Sequence, residues 1–389
     1  MNHQIAERMA LLHGESAFTI MAKANELEAQ GKHIIHLEIG QPDFKTPQNI
    51  IDACCRALDE GKTGYTPTAG ILPLREAIAQ HCMRHKNVVT NPDEIVVVPG
   101  GKPIMFYTML ALVNPGDEVI YPNPGFPIYE SCIKFAGGTP IPMPLLEEKG
   151  FSLDLDALKR SITDKTKLII LNNPGNPTGG VIPKEDILAI ADIIRDKNIY
   201  VMSDEIYDQM VFEGTPFSIA SLPEMKDRTI ILDGFSKAYA MTGWRLGYGV
   251  MPKEIAAHIT MLMVNSNSCA ASMTQWAAIE ALNGPQDSSR AMVAAFRERR
   301  DYIVNALNQI DGIRCAMPKG AFYAFPNISS FGLSSNEFAD RLLTEGGVAA
   351  ASGTAFGAYG EGYIRLSYAN SMENLKIAVE RIIAFTRTL

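Results

Sequence analysis

What most constrains this chain is a series of short apolar runs separated by amphipathic segments. Ile95-Val-Val-Val98, Glu118-Val-Ile-Tyr121, Leu168-Ile-Ile-Leu171, Tyr200-Val-Met-Ser203 and Thr229-Ile-Ile-Leu232 are rich in β-branched and large apolar residues. Such side chains suit a pleated, buried backbone. A strand with one wet face would show strict polar alternation, and these runs do not, so both faces need a cover. Helical segments lie between them, including Pro103 to Val113 and Lys184 to Lys197. Buried strands alternating with helices predict an α/β fold, with a mostly parallel mixed sheet sandwiched by helices.

The flanking segments read differently. Glu15 to Gln30 predicts a helix stopped by Gly31, then a strand at Ile34-Ile-His-Leu-Glu-Ile39 and a turn at Gly40-Gln-Pro-Asp-Phe44. Pro47 opens a helix that runs to about Glu60. Past Asn283 a long charged helix around Arg297-Glu-Arg-Arg300 leads to strands at Ala321-Phe-Tyr-Ala-Phe325 and Tyr363-Ile-Arg-Leu-Ser367. A last amphipathic helix starts at Met372. With 389 residues the chain has room for more than one core. The expectation is a large domain over 47–290 and a smaller α+β domain built from 1–46 and 291–389.

Composition excludes several classes. Hydrophobic residues at 47% and charged residues at 20% describe an ordinary globular chain, and a net charge of -8 argues against a nucleic-acid partner. The six cysteines, Cys54, Cys55, Cys82, Cys132, Cys269 and Cys315, form no C-x-x-C pair and read as reduced thiols of a cytoplasmic protein. No apolar run reaches membrane-spanning length, and Met1 to Arg8 has no apolar signal core, so no membrane partner is expected. His81 and His85 stand four apart on a helix, but no third ligand is nearby. A solvated helix face is the expected reading, and no metal is expected. Gly61-Lys62-Thr63 resembles the end of a nucleotide-binding loop but follows a helix, and Arg56 stands where its first glycine would be.

The chemistry concentrates in Asp233-Gly-Phe-Ser-Lys-Ala-Tyr-Ala-Met-Thr-Gly-Trp-Arg-Leu-Gly-Tyr-Gly249. A lone lysine in such a turn, Lys237, can form a Schiff base with an aldehyde. The hydroxyl of Ser236 and the guanidinium of Arg245 suit a phosphate beside it. Those are the needs of pyridoxal 5′-phosphate. For Ser-Lys alone, a solvated surface turn is the better reading.

Other segments supply matching parts. Asp204 ends the run Ile199 to Tyr207, where a parallel strand delivers its carboxyl-terminal residue. An aspartate there can pair with a pyridinium nitrogen, or simply cap the next helix. Gly100-Gly101-Lys102 lies between a strand and a helix, where backbone amides bind phosphate, although an ordinary turn reads equally well. Arg365 sits in an apolar strand, where an unpaired guanidinium is costly; it suits either a substrate carboxylate or a structural ion pair. Gly40 allows close backbone approach in its turn.

The order S-K-x-x-x-M-T-G-W-R-x-G-Y, together with S-D-E-I-Y, N-P-T-G and I-G-x-P-D-F, resembles the class I pyridoxal-phosphate-dependent aminotransferases. The likeness is to the bacterial aspartate aminotransferase-like branch and spans nearly the whole chain. It implies that Lys237 carries the cofactor and acts as general base and acid in a ping-pong transfer between an α-amino acid and a 2-oxo acid. By the same resemblance Asp204 faces the ring nitrogen, Asn176 and Tyr207 donate to the ring oxygen, and Phe126 stacks on the ring. The Gly100 turn cradles the phosphate, and Arg365 takes the substrate carboxylate. Tyr65 matches a tyrosine that reaches the phosphate of a neighbouring subunit, which implies a homodimer. Lys102 matches a lysine that meets a distal carboxylate in aspartate-using relatives. Glu15 departs from the small hydroxyl residues those relatives carry, and Ser352 and Ala270 replace prolines, so the amino donor stays open. A lyase or cyclase on the same fold would share every cofactor residue. A ligand-sensing domain of a regulator is the weaker rival, since it would need a DNA-binding segment.

Overall fold

The computed structural model describes residues 5–12, 14 and 16–389. In chain order the strands are β1 (Ile35–His36), β2 (Ile95–Val98), β3 (Glu118–Asn123), β4 (Thr139–Leu146), β5 (Ser152–Leu153), β6 (Thr166–Asn172) and β7 (Tyr200–Asp204). They continue with β8 (Thr229–Gly234), β9 (Gly247–Val250), β10 (Tyr323–Ala324), β11 (Val348–Ala349), β12 (Ala351–Ser352) and β13 (Ile364–Ser367). Eight of them form one sheet in the order β2-β9-β8-β7-β6-β3-β4-β5. The run from β8 to β4 is parallel throughout, whereas β9 is antiparallel to both β2 and β8, and β5 is antiparallel to β4.

All five apolar runs are strands of this sheet, and helices cover both of its faces. Val96 and Val98 join a core with Ile104 and Ile259, from the helices Lys102–Leu112 and Lys253–Ser266. Ile95 and Val97, pointing the other way, pack with Leu74, Ile78 and Ala277 from the helices Leu72–Lys86 and Ser272–Asn283. Alternate residues of one strand thus serve two separate cores, which is why the run must be apolar throughout.

Two strands have sequences that hide them. β9 is Gly-Tyr-Gly-Val, and a Cβ on Gly247 would press on the backbone of Gly100 and Gly101. Glycine there allows the lysine segment to lie against the Gly100 turn. β4 carries Pro140, Pro142 and Pro144 at alternate positions, so all three missing N–H groups fall on one edge. Its short partner β5 pairs only with Leu145 and Leu146, and the prolines leave the rest of that edge without donors.

The C-terminal part and the N-terminal segment build a further core against one end of the sheet. β10, β13 and β12 form a three-stranded antiparallel sheet, and β1 pairs parallel with β11. Ile35, Leu37, Phe296, Phe322, Phe338, Leu375 and Ile382 pack together there with Tyr207 and Met210. The strand expected over residues 321–325 shortens to Tyr323–Ala324 because Ala321 adopts φ +57°, which ends the extended backbone. The strand expected from Ile34 to Ile39 shrinks likewise to Ile35–His36, matched to a two-residue partner.

His81 corrects the expected solvated face. It is buried, its ring lies 4.4 Å from that of the exposed His85, and neither of its nitrogens has a partner among the described residues. Burial lowers its pKa to about 3, so the ring stays neutral. All six cysteines are free thiols. Among the described residues no helix is long and apolar enough to cross a membrane, and no three His, Cys, Asp or Glu side chains gather as metal ligands.

Phe296 has no exposed surface and its ring lies 5.3 Å from Phe322 and 5.6 Å from Phe44. Phe296→Ala is expected to cost about 3–5 kcal/mol of stability, read as a lowered urea midpoint with an unchanged slope.

Candidate active site

A cavity of about 710 Å³ opens where the carboxyl ends of the parallel strands meet the N-terminal segment and the C-terminal sheet. This is the end of a parallel sheet at which loops, not packed helices, follow the strands. Asn172 comes from the end of β6, Asp204 from the end of β7, and Ser236 and Lys237 from the turn after β8. Gly101 and Lys102 open the helix after β2, while Gly40, Tyr323 and Arg365 close the opposite wall.

Lys237 is half-buried, and its Nζ donates to the Gly40 carbonyl at 2.5 Å. The rings of Tyr207 and Phe322 lie 5.8 and 5.7 Å from the same atom. Asp204 is almost fully buried; its Oδ2 accepts from the Tyr129 hydroxyl at 2.6 Å and its Oδ1 from the Ile206 N–H at 3.3 Å. Burial raises its carboxyl to about 6, despite those two donors. The fold therefore spends stability to keep an acid facing this cavity, and a cation beside it would restore the ionised form.

Gly100 adopts φ +87°, and a Cβ on it would overlap the Arg245 guanidinium. Only glycine lets the backbone and that cation come this close. Arg245 itself adopts φ +52° and donates from Nη1 to the Thr242 carbonyl at 2.9 Å. Ser236, Gly101 at the helix N-terminus and Arg245 thus line one end of the cavity with donors. Lys102 Nζ lies 5.5 Å from the Phe126 ring, which meets Tyr129 edge-on at 5.8 Å.

The Arg365 guanidinium lies between the faces of Tyr323 and Phe356, at 4.6 and 4.7 Å. It donates to Asn176 Oδ1 at 3.1 Å and to the Glu38 carbonyl. No carboxylate among the described residues pairs with it, and its buried Nε has no partner. A guanidinium desolvated this far needs an anion, and the cavity is where one can reach it. A Cβ on Gly40 would overlap the Tyr323 hydroxyl, so the turn must be glycine to pass the arginine's neighbour.

The structure thus gathers Gly40, Gly101, Lys102, Phe126, Asn176, Asp204, Tyr207, Ser236, Lys237, Arg245 and Arg365 on one cavity, with Gly100 directly behind Arg245. Tyr65 is not among them: it is 93% exposed on the loop before the helix Leu72–Lys86. Glu15 lies outside the described residues. Two tyrosines had no assigned role from sequence. Tyr129 bonds to Asp204, and the Tyr323 hydroxyl shares a 2.7 Å hydrogen bond with that of Tyr207. A tyrosine within an apolar run reads as core, and nothing local marks its hydroxyl as facing a cavity.

The family model described as aminotransferase class I and II matches residues 32–382. The chain belongs to that family. A probable aspartate/prephenate aminotransferase from Aquifex aeolicus is 42% identical over 98% of both chains. An aspartate aminotransferase from Bacillus sp. (strain YM-2) is 40% identical over the full length of both. The structure of aspartate aminotransferase from Thermus thermophilus with maleate superposes with a TM-score of 0.94, at 38% identity, over 98% of this chain and 100% of that one. The chain is accordingly an aminotransferase, working between an amino acid and a 2-oxo acid, and a lyase or cyclase activity is not favoured. The family uses pyridoxal phosphate.

The buried acid gives a pH signature. An acid whose folded pKa is raised loses stability as pH climbs from its unfolded value, near 4, through the folded value near 6. In the ligand-free chain Asp204 should cost on the order of 3 kcal/mol above that window. Asp204→Asn should therefore be more stable than the parent at pH 7.5 and equal to it near pH 4, measured by urea unfolding across that range.

Proposed function

We propose that this cavity binds pyridoxal 5′-phosphate and transfers amino groups between an α-amino acid and a 2-oxo acid by a ping-pong cycle. The observation that carries the reading is the convergence of Lys237 Nζ, the buried Asp204 carboxyl and the open Arg365 Nε on one cavity. The residues fit the cofactor on three counts. The donor-lined end beside Gly100 suits a phosphate, the raised Asp204 acid suits a pyridinium, and the half-buried Lys237 amine suits an aldehyde.

When bound, the cofactor supplies the electron sink that lets the α-hydrogen of an amino acid leave as a proton. Lys237 Nζ would hold the cofactor and, freed when a substrate amine takes its place, would carry the proton from the substrate α-carbon to the cofactor carbon C4′, so that the nitrogen stays with the cofactor when the 2-oxo acid leaves. Asp204 keeps the ring nitrogen protonated, with Tyr129 holding its carboxylate in place. Asn176 and Tyr207 orient the ring oxygen, Phe126 covers one ring face, and the Gly100–Lys102 turn, Ser236 and Arg245 hold the phosphate. Arg365 grips the α-carboxylate, steadied by Asn176 and the Glu38 carbonyl.

Tyr65 points into solvent in one chain, which supports its completing the phosphate site of a second copy in a homodimer. Residues 47–290 act as the cofactor-binding domain, and 1–46 with 291–389 as the smaller domain that brings Gly40 and Arg365 to it. Six free thiols support a cytoplasmic setting. Lys102 on the cavity wall, and Glu15 on the strength of its departure from the small hydroxyl residues of aspartate-using relatives, are the residues that choose the donor. The maleate named with the Thermus thermophilus relative is a dicarboxylate, which makes aspartate the first donor to test.

Lys237→Ala should abolish turnover and the pH-titrating near-visible band of the lysine-linked cofactor, leaving at most the band of the free aldehyde; a variant that keeps the parent's band would overturn the assignment. Arg365→Lys should keep that band and lose about a hundredfold in kcat/KM, through loss of the paired hydrogen bonds to the α-carboxylate. Single-turnover absorbance with each amino acid in turn identifies the donor.

A further inference from the structure

On the sheet face opposite the cavity, at the same end of β7 and β8, lies a charge cluster with no direct part in the chemistry. Along β8, Leu232 lines the cavity, while Ile231 and Asp233 point the other way. The helix Leu72–Lys86 packs there, burying Leu74, Ile78 and Cys82 on one stripe, and Lys86 falls four residues past Cys82 on the same stripe. Its Nζ donates to Glu205 Oε2 at 2.9 Å, pairs with Asp208, and lies 3.1 Å from Asp233 Oδ2. One ammonium has three donors, and here each finds a carboxylate.

The cluster is sealed. The Lys86 side chain is 2% exposed and the Asp208 side chain 8%. Two of the three acids have further donors. Glu205 Oε1 accepts from Ser203 and Ser218 at 2.8 and 2.6 Å, and Asp233 accepts from the Tyr248 hydroxyl at 2.9 Å and the Gly234 N–H at 2.7 Å. Burial disfavours the Lys86 charge, yet Asp208, Asp233 and Glu205 together raise its pKa well above the ordinary value. Burial raises the Asp233 carboxyl as well. The other titratable groups around the cluster are His81, Cys82, Arg84, His85, Tyr239 and Tyr248. None of them offers a second buried cation in contact with the three acids.

The acids it ties are next to the reacting groups. Glu205 follows Asp204 directly, and Asp233 precedes Lys237 by one turn of chain containing Ser236. We propose that Lys86 is a positioning residue of the amino-transfer site. Its ammonium ties the ends of β7 and β8 together and balances the negative charge behind Asp204 and Lys237. This inference rests on the cofactor reading given above.

Two substitutions change the charge in opposite directions. Lys86→Met leaves the buried carboxylates uncompensated, and Asp208→Asn keeps the ammonium while removing one acid. Each variant is loaded with pyridoxal phosphate and its near-visible absorbance is titrated against pH, alongside cofactor affinity by fluorescence and Tm. The absorbance midpoint should rise in Lys86→Met and fall in Asp208→Asn, each by on the order of half a unit. Cofactor affinity should fall about tenfold in Lys86→Met, as the two strand ends lose registry. A purely structural clamp would lower Tm and leave the midpoints in place; unmoved midpoints, or shifts of the same sign, overturn the proposal. Should Lys86→Met not fold, Asp208→Asn decides alone, its downward shift supporting the proposal and an unmoved midpoint sinking it. A parent band that survives Lys237→Ala would instead sink the cofactor reading, which separates the two failures.

Discussion

The site depends on the pairing of β6, β7 and β8 at their carboxyl ends. The Asn173 N–H donates to the Asp204 carbonyl at 3.0 Å, and the Glu205 N–H to the Leu232 carbonyl at 2.9 Å. These bonds carry the parallel register past the last formal strand residues. They place Asn172, Asp204 and the turn after Gly234 side by side. A slip of one residue would turn Asp204 to the opposite face and bring a neighbour into its place. Apolar burial on both faces makes that slip costly, so the core and the site are specified by the same pattern.

Around this ladder the fold accumulates local costs that only a ligand relieves. A buried acid with a raised pKa and a buried arginine with an open Nε each oppose stability. They share one cavity, while the cores on either face of the sheet are apolar and closely packed. The Lys86 cluster is a contrasting case. There a buried cation meets three acids with its donors fully used, so charge is held without a ligand.

Much of this was legible in the residues. β2 runs over Ile95–Val98 as its composition demands, and Pro47 caps the helix that follows it. The glycines at 40 and 100 marked places where backbone must come close, and the structure puts Tyr323 and Arg245 there. β9 escaped notice because its glycines serve a close approach between distant segments, and that need leaves no apolar run. His81 and Lys86 escaped for a related reason. Polar residues on a helix near its end read as solvated, and the loop that buries Lys86 lies more than a hundred residues away, with Asp208 122 positions along the chain.

By itself, the sequence determined the elements and the chemistry on offer. Strand and helix follow from local periodicity, and a lysine beside serine, glycine and arginine carries its reactivity with it. The tertiary structure decided which groups share an environment. It placed Tyr129 on Asp204, set Tyr323 against both Tyr207 and Arg365, and closed three carboxylates around Lys86. Burial is a property of what packs on a residue, and hydrogen-bond partners 75, 116 and 189 positions apart are chosen by the fold. That is why the reactive lysine could be read from its neighbours in the chain, and its surroundings only from its neighbours in space.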